Sequence, residues 1–172
     1  WIINCRVYSV DFTDCFKDSK GIALYVKPSS FKLTFPNGTT SAPLNAGTYF
    51  IQNGTTTWNS IIWQDTEVVT IPVPTFDATD GNPTINCRVY SLTIDPIFYD
   101  ITGTALVQPS SWSIKFPNGT TRTVFSLVTY DQTQAGNYSI VSIIWKGTEV
   151  VPHTPPLTLL TSNMLWSPSI NC

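Results

Sequence analysis

Charge is the scarcest property of this chain. Of 172 residues, 9 are Lys or Arg and 11 are Asp or Glu, so 12% are charged, against about 25% in typical soluble domains. Nine scattered cations and a net charge of −2 supply no phosphate-binding stripe, which argues against nucleic acid as a partner. No apolar run approaches the roughly 18 residues a membrane-spanning helix needs, so no membrane span is expected. The chain has one His, two Glu and no HExxH, CxxC or GxSxG motif, which leaves little for metal or nucleophilic chemistry. No cofactor is implied, and the expectation is of a protein that is not an enzyme. His153, the sole imidazole, lies between Pro152 and Thr154-Pro155-Pro156, a poor place for a positioned base. Hydrophobic residues still make up 42% and aromatics 13%, too apolar for a disordered chain.

Short uncharged polar side chains fill the gap. The chain holds 25 Thr, 16 Ser and 11 Asn, which solvate a surface without charging it. Four N-x-S/T triplets begin at Asn37, Asn53, Asn118 and Asn137. Asn-Gly is also a common tight-turn dipeptide, so each triplet can be a turn alone. Four in so weakly charged a chain point to N-linked glycans on an extracellular protein. A chain that opens on Trp1 without a basic-then-apolar leader is expected to be processed or excised.

The chain is internally repeated. Ile3-Asn-Cys-Arg-Val-Tyr-Ser9 recurs as Ile85-Asn-Cys-Arg-Val-Tyr-Ser91, an offset of 82. Pro28-Ser-Ser-Phe31 returns as Pro109-Ser-Ser-Trp112 after one deletion. Phe35-Pro-Asn-Gly-Thr-Thr40 returns as Phe116-Pro-Asn-Gly-Thr-Thr121. Ser60-Ile-Ile-Trp63 and Thr66-Glu-Val-Val69 return at 142–145 and 148–151. Pro168-Ser-Ile-Asn-Cys172 opens a third copy. Ala46-Gly-Thr-Tyr49 and Ala135-Gly-Asn-Tyr138 match in type but differ by seven residues in their spacing to Ser-Ile-Ile-Trp, which predicts a longer hairpin around Asn53 in the first repeat. Each repeat reads as β. Cys5–Phe12, Phe31–Phe35, Trp112–Phe116 and Tyr138–Trp145 are rich in β-branched and aromatic residues, often alternating, and end at turn signals. Gln64-Asp65 and Lys146-Gly147 are predicted two-residue hairpin turns. Thirteen Pro and nine Gly punctuate the chain, and no capped helical pattern occurs. The fold class is therefore all-β, two tandem small β-sandwiches followed by the start of a third repeat. The predicted divisions are a first sandwich over 1–75, a Pro-rich linker over 76–84, a second sandwich over 85–156 and an exit segment over 157–172 that begins the next repeat or serves as an assembly strand.

The order Val-Tyr-Ser-Leu-Thr-Ile, Asp100-Ile-Thr-Gly-Thr-Ala-Leu106, Ser-Ile-Lys-Phe-Pro-Asn-Gly-Thr-Thr, Ala-Gly-Asn-Tyr and Ile-Ile-Trp-Lys-Gly-Thr-Glu-Val resembles the carboxypeptidase-regulatory-like and collagen-adhesin B-type repeats. The resemblance covers both units through short motifs. It implies transthyretin-like sandwiches in a prokaryotic, by expectation archaeal, cell-surface protein. In that family a D-x-x-G-x-x-(L/A) stretch turns into the second strand and A-G-x-Y enters a late strand. An immunoglobulin-like sandwich is the rival. There A-G-x-Y would be a tyrosine corner, but the Cys expected two residues on is Ile51 or Ile140. Some relatives carry a Lys–Asn isopeptide bond promoted by a buried acid. Lys32 and Lys115 do not occupy equivalent positions, and Glu67 and Glu149 are the only Glu residues, so no such bond is expected.

Cys5, Cys87 and Cys172 occupy one position in three successive repeats, and Cys15 is extra, opposite Ile97. Four Cys allow three full pairings. The favoured one is Cys15–Cys87 as a staple between domains. That would free Cys5 and Cys172 to bond head to tail between copies. Buried free thiols or ordinary intrachain bridges stand as the alternative. Asp77-Ala-Thr-Asp80-Gly-Asn82 is the best oxygen cluster but lacks calcium-loop spacing and reads as a solvated turn. Trp63 and Trp145 repeat and read as core, as do Phe31 and Trp112. Trp1, Trp58 and Trp166 do not repeat and are candidates for contacts outside the domain; Trp1 and Trp166, which flank the cysteine-bearing ends, are the candidate assembly contacts. The functional expectation is a structural extracellular repeat protein that self-assembles into a filament, sheath or S-layer. The alternatives are an adhesin or ligand-binding module, or a non-catalytic appendage of a secreted enzyme.

Overall fold

The computed structural model describes residues 1–3, 5–150 and 163–172, together with the backbone of 157–159. It is all-β among these residues, apart from one 3₁₀ turn at Ala78–Asp80. The chain divides into two compact units, Trp1–Val89 and Tyr90–Cys172, each with its own apolar core.

The first unit contains β1 (Val7–Asp11), β2 (Phe16–Lys17), β3 (Ser30–Thr34), β4 (Thr48–Gln52), β5 (Thr55–Trp63), β6 (Thr66–Glu67), β7 (Thr75–Asp77) and β8 (Ile85–Asn86). β1 pairs antiparallel with β4, Val10 opposite Tyr49. β5 pairs antiparallel with β3 along one edge and with β6 and β7 along the other. β2 and β8 form a short parallel pair. Alternation decides which side chains turn inward: Phe31 and Leu33 of β3, and Thr56, Trp58, Ile61 and Trp63 of β5, are all buried. Phe12, Phe16, Phe31, Trp58 and Phe76 pack as an aromatic cluster with centroids 5.2–5.6 Å apart. Such tilted and edge-on pairs add to plain area burial. Trp58, unrepeated in the sequence, is thus at the centre of a core rather than at a contact outside it.

The second unit repeats the scheme with β9 (Val89–Ile94), β10 (Ile97–Tyr99), β11 (Ser111–Lys115), β12 (Thr121–Val124), β13 (Val128–Gln134), β14 (Gly136–Trp145), β15 (Thr148–Val150), β16 (Leu157–Leu159), β17 (Met164–Trp166) and β18 (Ser169–Asn171). β14 carries β11 on one edge and β15 and β16 on the other, and β11 extends to β12. β9 lies between β13 and β17, and β10 pairs in parallel with β18. Both units carry the same β-bulge, between Lys32 and Leu33 and between Ser113 and Ile114.

Two expectations are revised. The segment 76–84, read as a linker, lies within the first unit. Phe76 and Ala78 are in its core, and Asp77 caps the 3₁₀ turn through a capping box with Asp80. Its one proline, Pro83, is buried. The seven-residue hairpin difference is also absent. Gly54 and Gly136 are the true counterparts at the offset of 82, since a Cβ on either would press on the proline of its Pro-Asn-Gly-Thr turn, Pro36 or Pro117. Ala46-Gly-Thr-Tyr49 therefore enters β4, whereas Ala135-Gly-Asn-Tyr138 enters β14. The two motifs converge on one local device. Tyr49 donates its hydroxyl to Asn45 O at 2.9 Å and Tyr138 to Gln134 O at 2.7 Å, each reaching back four residues in the manner of a tyrosine corner.

Candidate assembly strands and a surface groove

The Ile-Asn-Cys triplets at 85–87 and 170–172 do not open the structural units; they close them. Ile85 lies opposite Phe16 and Asn86 opposite Lys17. In the second unit Ile170 lies opposite Phe98 and Asn171 opposite Tyr99. The registers are the same, because Phe98 and Tyr99 are Phe16 and Lys17 advanced by 82. Cys87 N donates to Lys17 O at 2.7 Å, and Cys172 N to Tyr99 O at 2.9 Å. Ile85 and Ile170 are 3% and 0% exposed. The residues that begin the second and third sequence repeats thus complete the fold ahead of them.

The loop after each closing strand's partner is built around an aspartate. Asp18 Oδ1 accepts from the amides of Lys20 and Ile22 at 2.8 and 2.9 Å. Asp100 Oδ1 accepts from those of Thr102 and Thr104 at 2.8 and 2.9 Å. Gly21 and Gly103 follow at φ near +82°, the left-handed region that glycine enters without Cβ strain. This is the work of the Asp-x-x-Gly motif. The Thr102 hydroxyl and the Thr104 amide hold the Asp100 carboxyl below its ordinary range.

The structure holds all four cysteines as free thiols. Cys15 and Cys87 both belong to the first unit's core, so they do not face each other from two domains. The register sets Cys15 level with Thr84, three residues before Cys87. At about 3.3 Å per residue that offset is about 10 Å, beyond the roughly 7 Å between Cα atoms that a disulfide spans. Burial pushes both thiols up to about 12. Cys172 is part-buried and raised for the same reason; Cys5 is exposed.

Asn37, Asn53, Asn118 and Asn137 are all exposed. Asn37 and Asn118 sit in matching turns, where each side-chain oxygen accepts from the amide and hydroxyl of the threonine two residues on. Trp1 is fully exposed. Trp166, in β17, is half-buried against the second unit's core. Asp77 and Asp80 are engaged in the 3₁₀ turn, and the Thr79 amide and hydroxyl hold the Asp77 carboxyl below its ordinary range. Among the described residues no group of three or more His, Cys, Asp or Glu is placed to hold a metal. No helix among them is long and apolar enough to cross a membrane. His153 and residues 160–162 of the exit segment lie outside the described residues.

One feature escaped the sequence reading. Trp63 is buried and donates its indole N–H to Val26 O at 2.7 Å. Its counterpart Trp145 is half-exposed and lines an open groove of about 600 Å³ with Leu106, Val107, Gln108 and Lys146. The cause is the single deletion noted above. Three residues, Tyr25-Val26-Lys27, separate Leu24 from Pro28, but only Val107-Gln108 separate Leu106 from Pro109. The shortened loop leaves its tryptophan uncovered.

Fold and closing strands together define a tandem β-sandwich repeat protein. No protein-family model matches the chain, and no curated protein matches its sequence. Among solved structures it is similar to the TIE protein of Bacillus anthracis, at 8% identity and a TM-score of 0.40, over 96% of this chain and 34% of that one. It is similar to a streptococcal ancillary pilin, at 11% identity and 0.37, over 98% and 63%. It is also similar to the pilus adhesin SpaC of Lactobacillus rhamnosus GG, at 12% and 0.35, over 95% and 31%. The chain spans between about a third and just under two thirds of these three proteins.

Proposed function

We propose that this chain is a structural repeat module of an extracellular, cell-surface protein that assembles into a filament, sheath or S-layer. The observation that carries the reading is the repeat phase. Each unit is finished by residues that begin the next repeat, which is how a linear array of sandwiches is built. Glycans at Asn37, Asn53, Asn118 and Asn137 cover the uncharged faces in this reading. Subunits meet through Trp1 and Trp166, by strand exchange or by a Cys5–Cys172 disulfide between copies. Negative-stain electron microscopy of the purified, fully glycosylated protein is the test. Ordered polymers are expected; dispersed particles at all concentrations would defeat the reading. Non-reducing gels separate the two kinds of contact, since only the disulfide form gives a covalent ladder.

The Trp145 groove favours a second reading, an adhesin module. An aromatic face beside a cation suits stacking on a sugar or an aromatic side chain. Under that reading dispersed particles bind glycans, and Trp145→Ala abolishes binding without unfolding the second unit.

A further inference from the structure

Among the described residues, one copy of the closing triplet is paired with no unit. Ile85-Asn86-Cys87 and Ile170-Asn171-Cys172 are both in place, in the same parallel register, and fill the two positions this chain offers. The remaining copy is Ile3-Asn4-Cys5. It runs into Arg6-Val7-Tyr8-Ser9 as Cys87 runs into Arg88-Val89-Tyr90-Ser91. Yet Ile3 is 85% exposed where Ile85 and Ile170 are buried, and Trp1 and Ile2 beside it are exposed as well. Ile3 and Cys5 belong to no strand. Three consecutive large apolar side chains in water are costly, and an apolar segment outside any strand adds readily to an open sheet edge.

We propose that Trp1–Cys5 is a donor strand that closes a further β-sandwich unit of this same repeat class, one whose own closing position is empty. It enters in parallel beside that unit's counterpart of Phe16–Lys17 and Ile97–Tyr99. Ile3 takes the buried place that Ile85 and Ile170 take, level with a phenylalanine. The Cys5 amide donates to the backbone carbonyl one residue beyond that phenylalanine, as those of Cys87 and Cys172 do. The Cys5 thiol passes from solvent into the core. A complete copy of this chain is a poor acceptor, because β8 and β18 already occupy its two positions. The inference deepens the assembly reading above and rests on it for its place in an array.

Two experiments test the inference. A chain shortened to end at Ser167 presents an empty position beside Ile97–Tyr99. It is expected to form a head-to-tail ladder by size-exclusion chromatography with light scattering, of higher order than any assembly of the full chain under the same conditions. Ile3→Asp in the shortened chain collapses the ladder, and Cys5 in the ladder alkylates at least about tenfold more slowly than in the monomer. A shortened chain that keeps its β circular dichroism and stays monomeric overturns the proposal. The second experiment does not depend on the shortened chain folding. Pro168→Trp with Ser169→Ile turns the tail of the full chain into Trp-Ile-Ile-Asn-Cys, and a melting midpoint close to that of the unaltered protein is expected. A midpoint as low as that of Ile170→Asp overturns the fit. Electron microscopy of the unaltered, glycosylated protein reads array formation separately. Strand fit without polymers defeats only the array reading.

Discussion

At the scale of single residues the thiols are the sharpest reporters. Cys15 and Cys87 are packed into an aromatic core, and water-starved thiolates are disfavoured there, so both titrate near 12 in the fold against 9.0 unfolded. A raised folded value means the native state holds its protons longer. The stabilisation is complete below about pH 9 and is lost as pH rises from 9 towards 12. Alkaline unfolding of the first unit is therefore expected to begin above pH 9, and Cys87→Ala is expected to flatten its pH dependence. Timed alkylation at pH 8 with mass mapping is expected to label Cys5 first and Cys15 and Cys87 last. Early labelling of Cys87 would contradict the burial. Sequence identified Cys87 as a repeated position. It could not show the thiol to be core, because an exposed and a buried cysteine, Cys5 and Cys87, stand in identical local sequences, Ile-Asn-Cys-Arg-Val-Tyr-Ser.

Among elements, the hairpin turns were the most legible from sequence. Gln64-Asp65 joins β5 to β6, and Lys146-Gly147 joins β14 to β15, as two-residue turns with positive φ at both positions. This is the geometry that matches strand twist. In the first unit Asp65 adopts φ +61° with a side chain that disfavours it; in the second, Gly147 holds the place without strain. Asp65→Gly is expected to stabilise the first unit by about 0.5–1 kcal/mol and to raise its melting midpoint by about 2–6 °C. Calorimetry reads this, and a lowered midpoint would show that the aspartate makes a compensating contact. The Pro-Asn-Gly-Thr turns are equally local. The Gly38 amide donates to Phe35 O, and Gly38 itself lies at φ +81°. The pairing of Ala46-Gly-Thr-Tyr49 with Ala135-Gly-Asn-Tyr138 misled because the motif encodes only a tyrosine reaching back to its own chain. That local device is compatible with more than one strand.

On the scale of the whole molecule, two separate cores and two closing strands govern behaviour. Ile85 and Ile170 each seal one core, and a carboxylate in either place is a buried charge without a partner. Ile170→Asp is expected to remove hydrogen-exchange protection from β9–β15 and leave β1–β7 protected; Ile85→Asp does the reverse. The cost is at least about 3 kcal/mol per substitution, enough to unfold a small unit. Loss of protection throughout from either change would mean that the units do not fold separately.

Sequence by itself determined the all-β class, the repeat, the hairpin turns and the scarcity of catalytic chemistry. These rest on composition and on short-range spacing, which a chain displays without folding. Tertiary structure decided which residues belong together across distance. It placed the triplets that begin the second and third repeats in the unit before them, took segment 76–84 into the first unit and set Cys15 and Cys87 three residues out of register. A single deletion uncovered Trp145 while Trp63 stayed buried. The reason is that parallel pairing between β2 and β8, or β10 and β18, joins residues about 70 positions apart, and no local pattern specifies which distant strand completes a sheet.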